Sequence, residues 1–293
     1  MGKKSFDGNI PTNASLSYTL DNLRTFVEIE KNEKDLWQPL QQEGCLEPQF
    51  SEQGQRRFLD FFAKLKKYYG VQENFLIRSA NNFPSDSGMA SSASSFAALT
   101  MAANQAFCDL GYKNISGLQT YQMSREGSGS SCRSFFKPWA VWKETEVFAP
   151  PIKIQKLVHK IVMIDSKKKE VSSGKAHQRI ETSLLNQGRA GRAEKRLDDL
   201  IHALNNDNWR NAYEICWAEF WDMHSLFETA MPSFRYMTGK SLNALHAIDE
   251  LWTEIGDGPL VTMDAGPNIH LLYRENSEAL IQKFDQKLKG YTS

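Results

Sequence analysis

The sequence lacks any long apolar run: no stretch approaches the roughly 20 residues that a membrane-spanning helix needs. It also lacks a charged N-terminal segment followed by an apolar one, so no secretory signal is predicted and we expect a cytoplasmic location. The net charge is zero, with 35 Lys and Arg against 35 Asp and Glu, and no basic block is long enough to indicate a nucleic-acid-binding surface. We therefore expect small-molecule ligands, with neither a membrane nor a nucleic acid as a partner.

Cysteine is also scarce. The four cysteines, at positions 45, 108, 132 and 216, form no CxxC pair and no Cys/His spacing typical of a zinc site. The sequence therefore predicts neither a disulfide framework nor a set of protein ligands for a metal, and we expect reduced thiols. With 293 residues, 41% of them hydrophobic, the chain can bury one large core or two modest ones, and we expect two lobes.

What the sequence does contain is a loop that runs directly into a helix, over residues 81–99, NNFPSDSGMASSASSFAAL. The first N–H groups of a helix have no carbonyl partners, and the helix dipole adds partial positive charge there, so this loop can bind an anion. The small residues Gly88 and Ala90 allow a phosphate to approach the backbone, and Ser91 and Ser92 add hydroxyl donors. Serine is also common at helix starts simply because it caps them, so composition alone leaves both interpretations open.

A second segment rich in Gly and Ser covers residues 124–136, SREGSGSSCRSFF. It offers backbone donors beside the hydroxyls of Ser128 and Ser130, and Arg133 adds a planar donor group suited to a carboxylate or a phosphate. Taken alone, the segment is better explained as a flexible turn with a solvated arginine.

A third segment, residues 260–271 (LVTMDAGPNIHL), has two strand-like runs around a turn. It places one carboxylate, Asp264, at a strand end, where an aspartate that caps a turn is the simplest interpretation. A phosphate-binding loop, a Ser/Arg anion site and a lone carboxylate together suit phosphoryl transfer to a hydroxyl, which needs positioning and charge neutralisation.

These segments resemble known motifs. Residues 84–93, PSDSGMASSA, are similar to the phosphate-binding motif PxxxGLxSSA of the GHMP kinase superfamily, with Met89 in place of leucine. Asp86 stands where a small neutral residue is usual, and its carboxylate would repel a polyphosphate unless it faces water or magnesium. Within the superfamily, GSGSSCRS at 127–134 and DAGPN at 264–268 resemble the motifs of the diphosphomevalonate decarboxylases.

The resemblance implies an α+β GHMP kinase fold and a homodimer. It implies an N-terminal lobe like ribosomal S5 domain 2 at residues 1–168, a ferredoxin-like C-terminal lobe at 169–293, and an active site in the cleft between them. The implied ATP-binding residues are Gly88, Met89, Ala90, Ser91 and Ser92. Because ATP is bound together with magnesium, Mg²⁺ is the second implied cofactor. The implied substrate-binding residues are Ser128 and Ser130 at the diphosphate, Arg133 at the carboxylate, and Lys3. The implied catalytic residues are Asp264, which lies against the substrate hydroxyl, and Arg133.

The reaction implied is the ATP-dependent decarboxylation of mevalonate 5-diphosphate to isopentenyl diphosphate, with release of ADP, phosphate and CO₂, in isoprenoid biosynthesis. Two alternatives stay open. One is a kinase of the same superfamily that phosphorylates mevalonate or a mevalonate phosphate without decarboxylation. The other is a catalytically inactive binding homologue. Two features favour it: the carboxylate of Asp86 in the phosphate-binding loop, and the lack of an N-terminal strand. Family members have that strand, and it ends in a KYWGK-like motif whose last residues would correspond to Gly2-Lys3 here.

Hydrophobic spacing predicts the main elements. Leu16 to Leu20 and Phe26 to Ile29 are interpreted as a β-hairpin, and residues 31–55 as a solvated excursion. Helices are predicted at 58–69, 209–227, 242–252 and 278–288, and a buried strand at 75–77. His177 is interpreted as a surface helix residue, and His224 and His246 as hydrogen-bonded structural residues.

Overall fold

The computed structural model describes residues 2–5, 7–46, 51–83, 91–115, 117–165 and 170–292. The first half contains β1 (Lys3–Ser5), β2 (Ile10–Pro11), β3 (Ser15–Tyr18), β4 (Thr25–Asn32), β5 (Leu36–Pro39), α1 (Glu52–Tyr69), β6 (Asn74–Asn81), α2 (Ser91–Asp109), α3 (Gly117–Gly127), β7 (Trp139–Lys143), β8 (Glu146–Phe148) and β9 (Leu157–Val162). The second half contains α4 (Ser173–Arg179), α5 (Arg189–Asn205), α6 (Trp209–Glu228), α7 (Gly239–Ile255), β10 (Leu260–Thr262), β11 (Ile269–Arg274) and α8 (Glu278–Leu288). Across these ranges, no helix is long and apolar enough to cross a bilayer.

The N-terminal core lies between α1, α2 and the sheet of order β4-β6-β5. Apolar residues three and four apart give α1 one buried face, formed by Phe58, Phe61, Phe62 and Leu65. The helix ends at Gly70, whose φ of 76° is left-handed and whose N–H bonds back to the last turn, as predicted from the sequence. Phe75 and Ile77 of β6 complete this core, which confirms the predicted buried strand.

The predicted hairpin is wrong. Strand β3 pairs antiparallel with β7, whereas β4 pairs antiparallel with β6 along its whole length. The two strands separate because Val27 and Ile29 pack on the N-terminal core, while Leu16 and Tyr18 pack on the C-terminal one. The solvated excursion is also wrong at β5, which pairs parallel with β6.

The C-terminal core lies between helices α5 to α8 and the sheet of order β10-β11-β9. The predicted helices are confirmed: α6 buries Trp209, Tyr213, Phe220 and Phe227, and α8 covers the predicted residues 278–288. Trp139 of β7 belongs to this second core, so the sheet of order β3-β7-β8 packs against the C-terminal half. This contact places the Tyr18 hydroxyl of β3 2.8 Å from Leu157 N of β9, the strand that pairs with β11.

The predicted lobe boundary after residue 168 falls among residues 166–169, which lie outside the described residues. It therefore stays a prediction.

Candidate active site

The phosphate-binding loop is described only where it becomes helix. Its predicted ligands Gly88, Met89 and Ala90, and the unusual Asp86, lie outside the described residues. Ser91 and Ser92 form the first turn of α2, where backbone N–H groups and the helix dipole favour an anion.

The start of α2 meets the second predicted motif. The Ser92 hydroxyl lies 3.2 Å from the hydroxyl of Ser128, which is 6% exposed. Gly127 makes this approach possible, because a Cβ there would lie 2.2 Å from the ring of Phe96 in α2. The two Gly/Ser-rich motifs therefore form one surface of hydroxyl groups.

The second motif is ordered by its own hydrogen bonds. Residues Gly129–Phe135 form a 3₁₀ helix, and the Ser131 hydroxyl donates to the Ser128 carbonyl at 2.7 Å. The interpretation as a flexible turn is therefore wrong. The hydroxyl of Ser130 is half-buried and forms no hydrogen bond with any described residue, so it is available to a ligand.

Arg133 is held without being neutralised. Its Nη1 donates to the Ser15 hydroxyl at 3.0 Å, and its guanidinium lies 5.9 Å from the ring centre of Trp142. Its Nε is enclosed and has no hydrogen-bond partner. Burial lowers the pKa of Arg133, while the negative charge of Asp264 opposes this shift. A cation in this position suits an anionic ligand.

Lys3 lies beside the same motif. Its Nζ donates to Asn9 Oδ1 at 2.5 Å, and Asn9 Nδ2 donates to the carbonyl of Arg125 at 2.8 Å. Burial and then the charge of Arg57 lower the pKa of Lys3. A Cβ at Gly129 would lie 3.3 Å from Asn9, so the lysine and the serine motif share neighbours.

Arg57 is a residue that the sequence analysis missed. Its Nη2 donates to the Gly127 carbonyl, its guanidinium lies 4.9 Å from the ring centre of Phe96, and its charge acts on Lys3. The local pattern shows only a polar position next to an apolar helix face, so no sequence signal marks it. Ser15 and Asn9 were also missed, because a single polar residue in a short strand or turn has no periodic pattern around it.

Asp264 follows β10 and faces the site from the C-terminal half. Its side chain is exposed and interacts electrostatically with Arg133. Its carboxylate forms no hydrogen bond with any residue for which the structure gives a position. Its main-chain oxygen accepts hydrogen bonds from Gly266 N at 2.7 Å and from the His224 ring at 3.0 Å. The structure thus brings the Asp264 carboxylate within electrostatic range of Arg133, although the two residues lie far apart in the sequence.

His177 is not a surface residue. Its ring is half-buried, and its Nδ1 accepts a hydrogen bond from Gly2 N at 2.9 Å. Burial, with the charge of Lys3, lowers the pKa of His177 to about 3. The ring is therefore neutral and links α4 to the segment that carries Lys3.

The chemistry of these groups fits a nucleotide with its metal ion. Hydroxyl groups at the start of α2 are donors for phosphate oxygens, and hydroxyl and carboxylate oxygens are the ligands that Mg²⁺ prefers. Ser91 and Ser92 are the described residues that would hold the magnesium nucleotide.

Comparison with known families gives two matches. Residues 1–149 match the model of the diphosphomevalonate decarboxylase-like N-terminal domain, and residues 160–292 match that of the mevalonate 5-diphosphate decarboxylase C-terminal domain. The diphosphomevalonate decarboxylase of Debaryomyces hansenii is 27% identical over 323 residues, with 99% of this chain and 81% of the relative covered.

Solved structures agree. The mevalonate diphosphate decarboxylase of Legionella pneumophila is 47% identical, with a TM-score of 0.91 and coverage of 97% of this chain and 91% of its own. A structure described as MDDEF in complex with MVAPP, AMPPCP and magnesium is 28% identical, with a TM-score of 0.84 and coverage of 100% and 89%. The chain therefore resembles these proteins in sequence and in fold over nearly its whole length.

Proposed function

Because the chain belongs to the diphosphomevalonate decarboxylase family, we propose that it converts mevalonate 5-diphosphate and ATP to isopentenyl diphosphate, ADP, phosphate and CO₂. The observation that carries the proposal is the meeting of three motifs that are distant in the sequence. Ser92 touches Ser128, and the charge of Asp264 acts on Arg133 of the same serine motif. The start of α2, the Ser/Arg motif and the Asp264 carboxylate are thus neighbours in the folded chain.

Two anionic groups of the substrates are bound by the N-terminal half. Ser91 and Ser92, with the predicted ligands Gly88, Met89 and Ala90, bind the phosphates of ATP. Ser128, Ser130 and Lys3 bind the diphosphate of the substrate, with Arg57 close enough to add positive charge. Magnesium, when bound with the nucleotide, neutralises phosphate charge.

Asp264 acts on the hydroxyl group at C3. Its carboxylate orients this hydroxyl and accepts its proton while the oxygen attacks the γ-phosphorus of ATP. A carboxylate with no hydrogen bond to a described residue suits this role, because a carboxylate already bonded to neighbours would have to exchange them for the substrate. Transfer of a phosphoryl group otherwise depends on positioning and charge neutralisation.

Arg133 binds the substrate carboxylate and directs it. When the C3–O bond breaks, its electron pair leaves with the phosphate. The bond between C1 and C2 then breaks, C1 leaves as CO₂, and its electron pair forms the double bond between C2 and C3. The guanidinium stabilises the carboxylate before the reaction more than after it, so its contribution is orientation.

The proposal also covers the oligomeric state, the location and the lobes of the enzyme. By family resemblance the protein forms a homodimer in the cytoplasm, with lobes at residues 1–168 and 169–293. Light scattering coupled to size-exclusion chromatography would test the dimer, since a monomer mass at micromolar concentration contradicts it.

The reaction is tested by product analysis. The purified protein is incubated with ATP and magnesium and, in separate reactions, with mevalonate, mevalonate 5-phosphate or mevalonate 5-diphosphate. We expect CO₂ and free phosphate in equal amounts, and only from the diphosphate. A stable phosphoester without CO₂ would instead identify a kinase, and calorimetry that detects neither nucleotide nor mevalonate 5-diphosphate binding would identify an inactive homologue.

A further inference from the structure

Among the described residues, the Asp264 carboxylate is not held by a hydrogen bond or an ion pair. It is exposed and forms no hydrogen bond with the residues described in the structure. Its direction is therefore set by the backbone of the turn between β10 and β11, and by how firmly that backbone is held.

Hydrogen bonds with neighbouring elements hold this turn at both ends. At its far end, Ser241 of α7 donates to the Pro267 carbonyl at 3.0 Å, and Asn268 Oδ1 accepts from Ile164 N at 2.8 Å. At its near end, His224 of α6 contacts the Asp264 carbonyl directly, at 3.0 Å from Nε2. The contacts at Pro267 and Asn268 lie three and four residues further along, so His224 acts closest to the carboxylate.

The hydrogen bond defines the state of the imidazole. A carbonyl oxygen can only accept, so Nε2 of His224 carries the proton and donates it. The ring is 4% exposed and packs against Phe227 and Tyr236, at centroid distances of 5.2 and 6.4 Å. With the Gly266 N–H on the same oxygen, this donor restrains the peptide group that follows Asp264.

We propose that His224 is a positioning residue for Asp264: its Nε2–H holds the main-chain oxygen of Asp264 and thereby aims the carboxylate at the substrate hydroxyl. The proposal rests on the proposed function, in which Asp264 takes the proton of that hydroxyl. Proton transfer requires the two oxygens within hydrogen-bond distance, and a displacement of about 1 Å can cost about a hundredfold in rate.

The test compares three variants that differ in the donor. His224→Phe keeps a ring but removes the donor. His224→Gln places an amide nitrogen near the position of Nε2, and His224→Asn carries the same amide on a shorter side chain that does not reach the carbonyl. Each is assayed for kcat and KM with mevalonate 5-diphosphate and ATP, and each is examined by hydrogen–deuterium exchange on peptides that contain Gly266.

We expect His224→Phe and His224→Asn to lower kcat about 10- to 100-fold while both KM values stay within threefold. We expect His224→Gln to stay within about threefold of the parent. The Gly266 amide should exchange faster in the first two variants and at the parental rate in His224→Gln. If His224→Phe does not fold, the difference in kcat and in Gly266 exchange between His224→Gln and His224→Asn is sufficient to test the proposal.

Two results would overturn the proposal. One is a kcat within twofold of the parent in the variants without a donor. The other is an equal loss in His224→Gln and His224→Asn with unchanged Gly266 exchange, as expected if the ring only fills space. A parent protein that releases no CO₂ refutes the proposed function instead, and the exchange contrast still reports whether His224 holds the turn.

Discussion

Two groups of arginine in this protein are neutralised to different extents. In the candidate site, Arg133 and Arg57 form hydrogen bonds with a hydroxyl and a carbonyl, and neither has an ion pair with a described residue. Between α5 and α6, by contrast, Arg189 is 2% exposed and forms an ion pair with Glu219.

The second group is a complete network. Arg189, Arg192 and Arg196 lie three and four residues apart on one face of α5 and meet Glu219 and Asp222 of α6. Burial alone would raise the pKa of Asp222, but hydrogen bonds from Arg192 and Arg196 lower it to about 2.

The comparison separates two uses of the same side chain. Where the chain supplies the counter-charges, the arginines join two helices. Where no described carboxylate forms an ion pair, as at Arg133, an enclosed charge is kept at a cost in stability, and the charge of Asp264 offsets only part of that cost. The second arrangement is the one expected where an anionic ligand will complete the pairing.

The largest effect is expected at the carboxylate of the site. Asp264→Asn should lower turnover by roughly 10³-fold, because general base catalysis contributes about 10²- to 10⁴-fold. Binding of ATP and mevalonate 5-diphosphate should persist in calorimetry, since the binding groups lie in the other half. A turnover within threefold of the parent would remove Asp264 from the chemistry.

Arg133→Ala should come next, with a loss of roughly 10²-fold in decarboxylation and a smaller loss in nucleotide affinity. The reason is that, in the proposed function, the guanidinium binds the substrate carboxylate and not the nucleotide. Turnover and the Kd for ATP are measured on the same preparation, and equal losses in both would indicate an arginine that is only structural.

The α5–α6 network should behave in the opposite way. Asp222→Asn should lower the free energy of unfolding by about 2 kcal/mol, because it leaves three arginines to share one carboxylate. Turnover per folded molecule should stay unchanged, as measured by activity at a temperature well below the Tm. A parental stability with reduced turnover would place Asp222 in the site instead.

The pH dependence of stability follows from the Asp222 carboxylate. The folded-state pKa of Asp222, about 2, lies below its ordinary value of 3.8, so its stabilising contribution is present above pH 3.8 and lost as the pH falls towards 2. The stability difference between the parent and Asp222→Asn should therefore shrink over that interval in urea titrations. A difference that is constant down to pH 2 would contradict this assignment.

The smallest effect is expected at an exposed pair on the same helix. Arg210 and Glu214 of α6 are each 57% exposed, and such pairs contribute about 0.3 to 0.5 kcal/mol. Glu214→Gln is thus the matched control for Asp222→Asn, and a comparable loss of stability in both would show that burial of the network is not what matters.

Much of the fold follows from local patterns. The helices α1, α6 and α8 could be predicted because apolar residues at spacings of three and four must face a core. The pairing of β3 with β7 could not be predicted, because the two strands are more than a hundred residues apart in the sequence. The apolar runs of β3 and β4 are close together in the sequence and suggest a hairpin instead. The strand β5 was missed because a four-residue strand between polar segments has no clear period.

The sequence by itself determined which chemical groups are available: the serine hydroxyls, Arg133 and Asp264 stand in short motifs whose local conformation neighbouring residues largely dictate. Only the tertiary structure decided that Ser92 meets Ser128, that Arg133 and Arg57 form no ion pair with a described residue, and that His224 holds the Asp264 carbonyl. The physical reason is that hydrogen bonds and charges act over a few ångströms in space, and distance along the chain does not reveal which groups come that close.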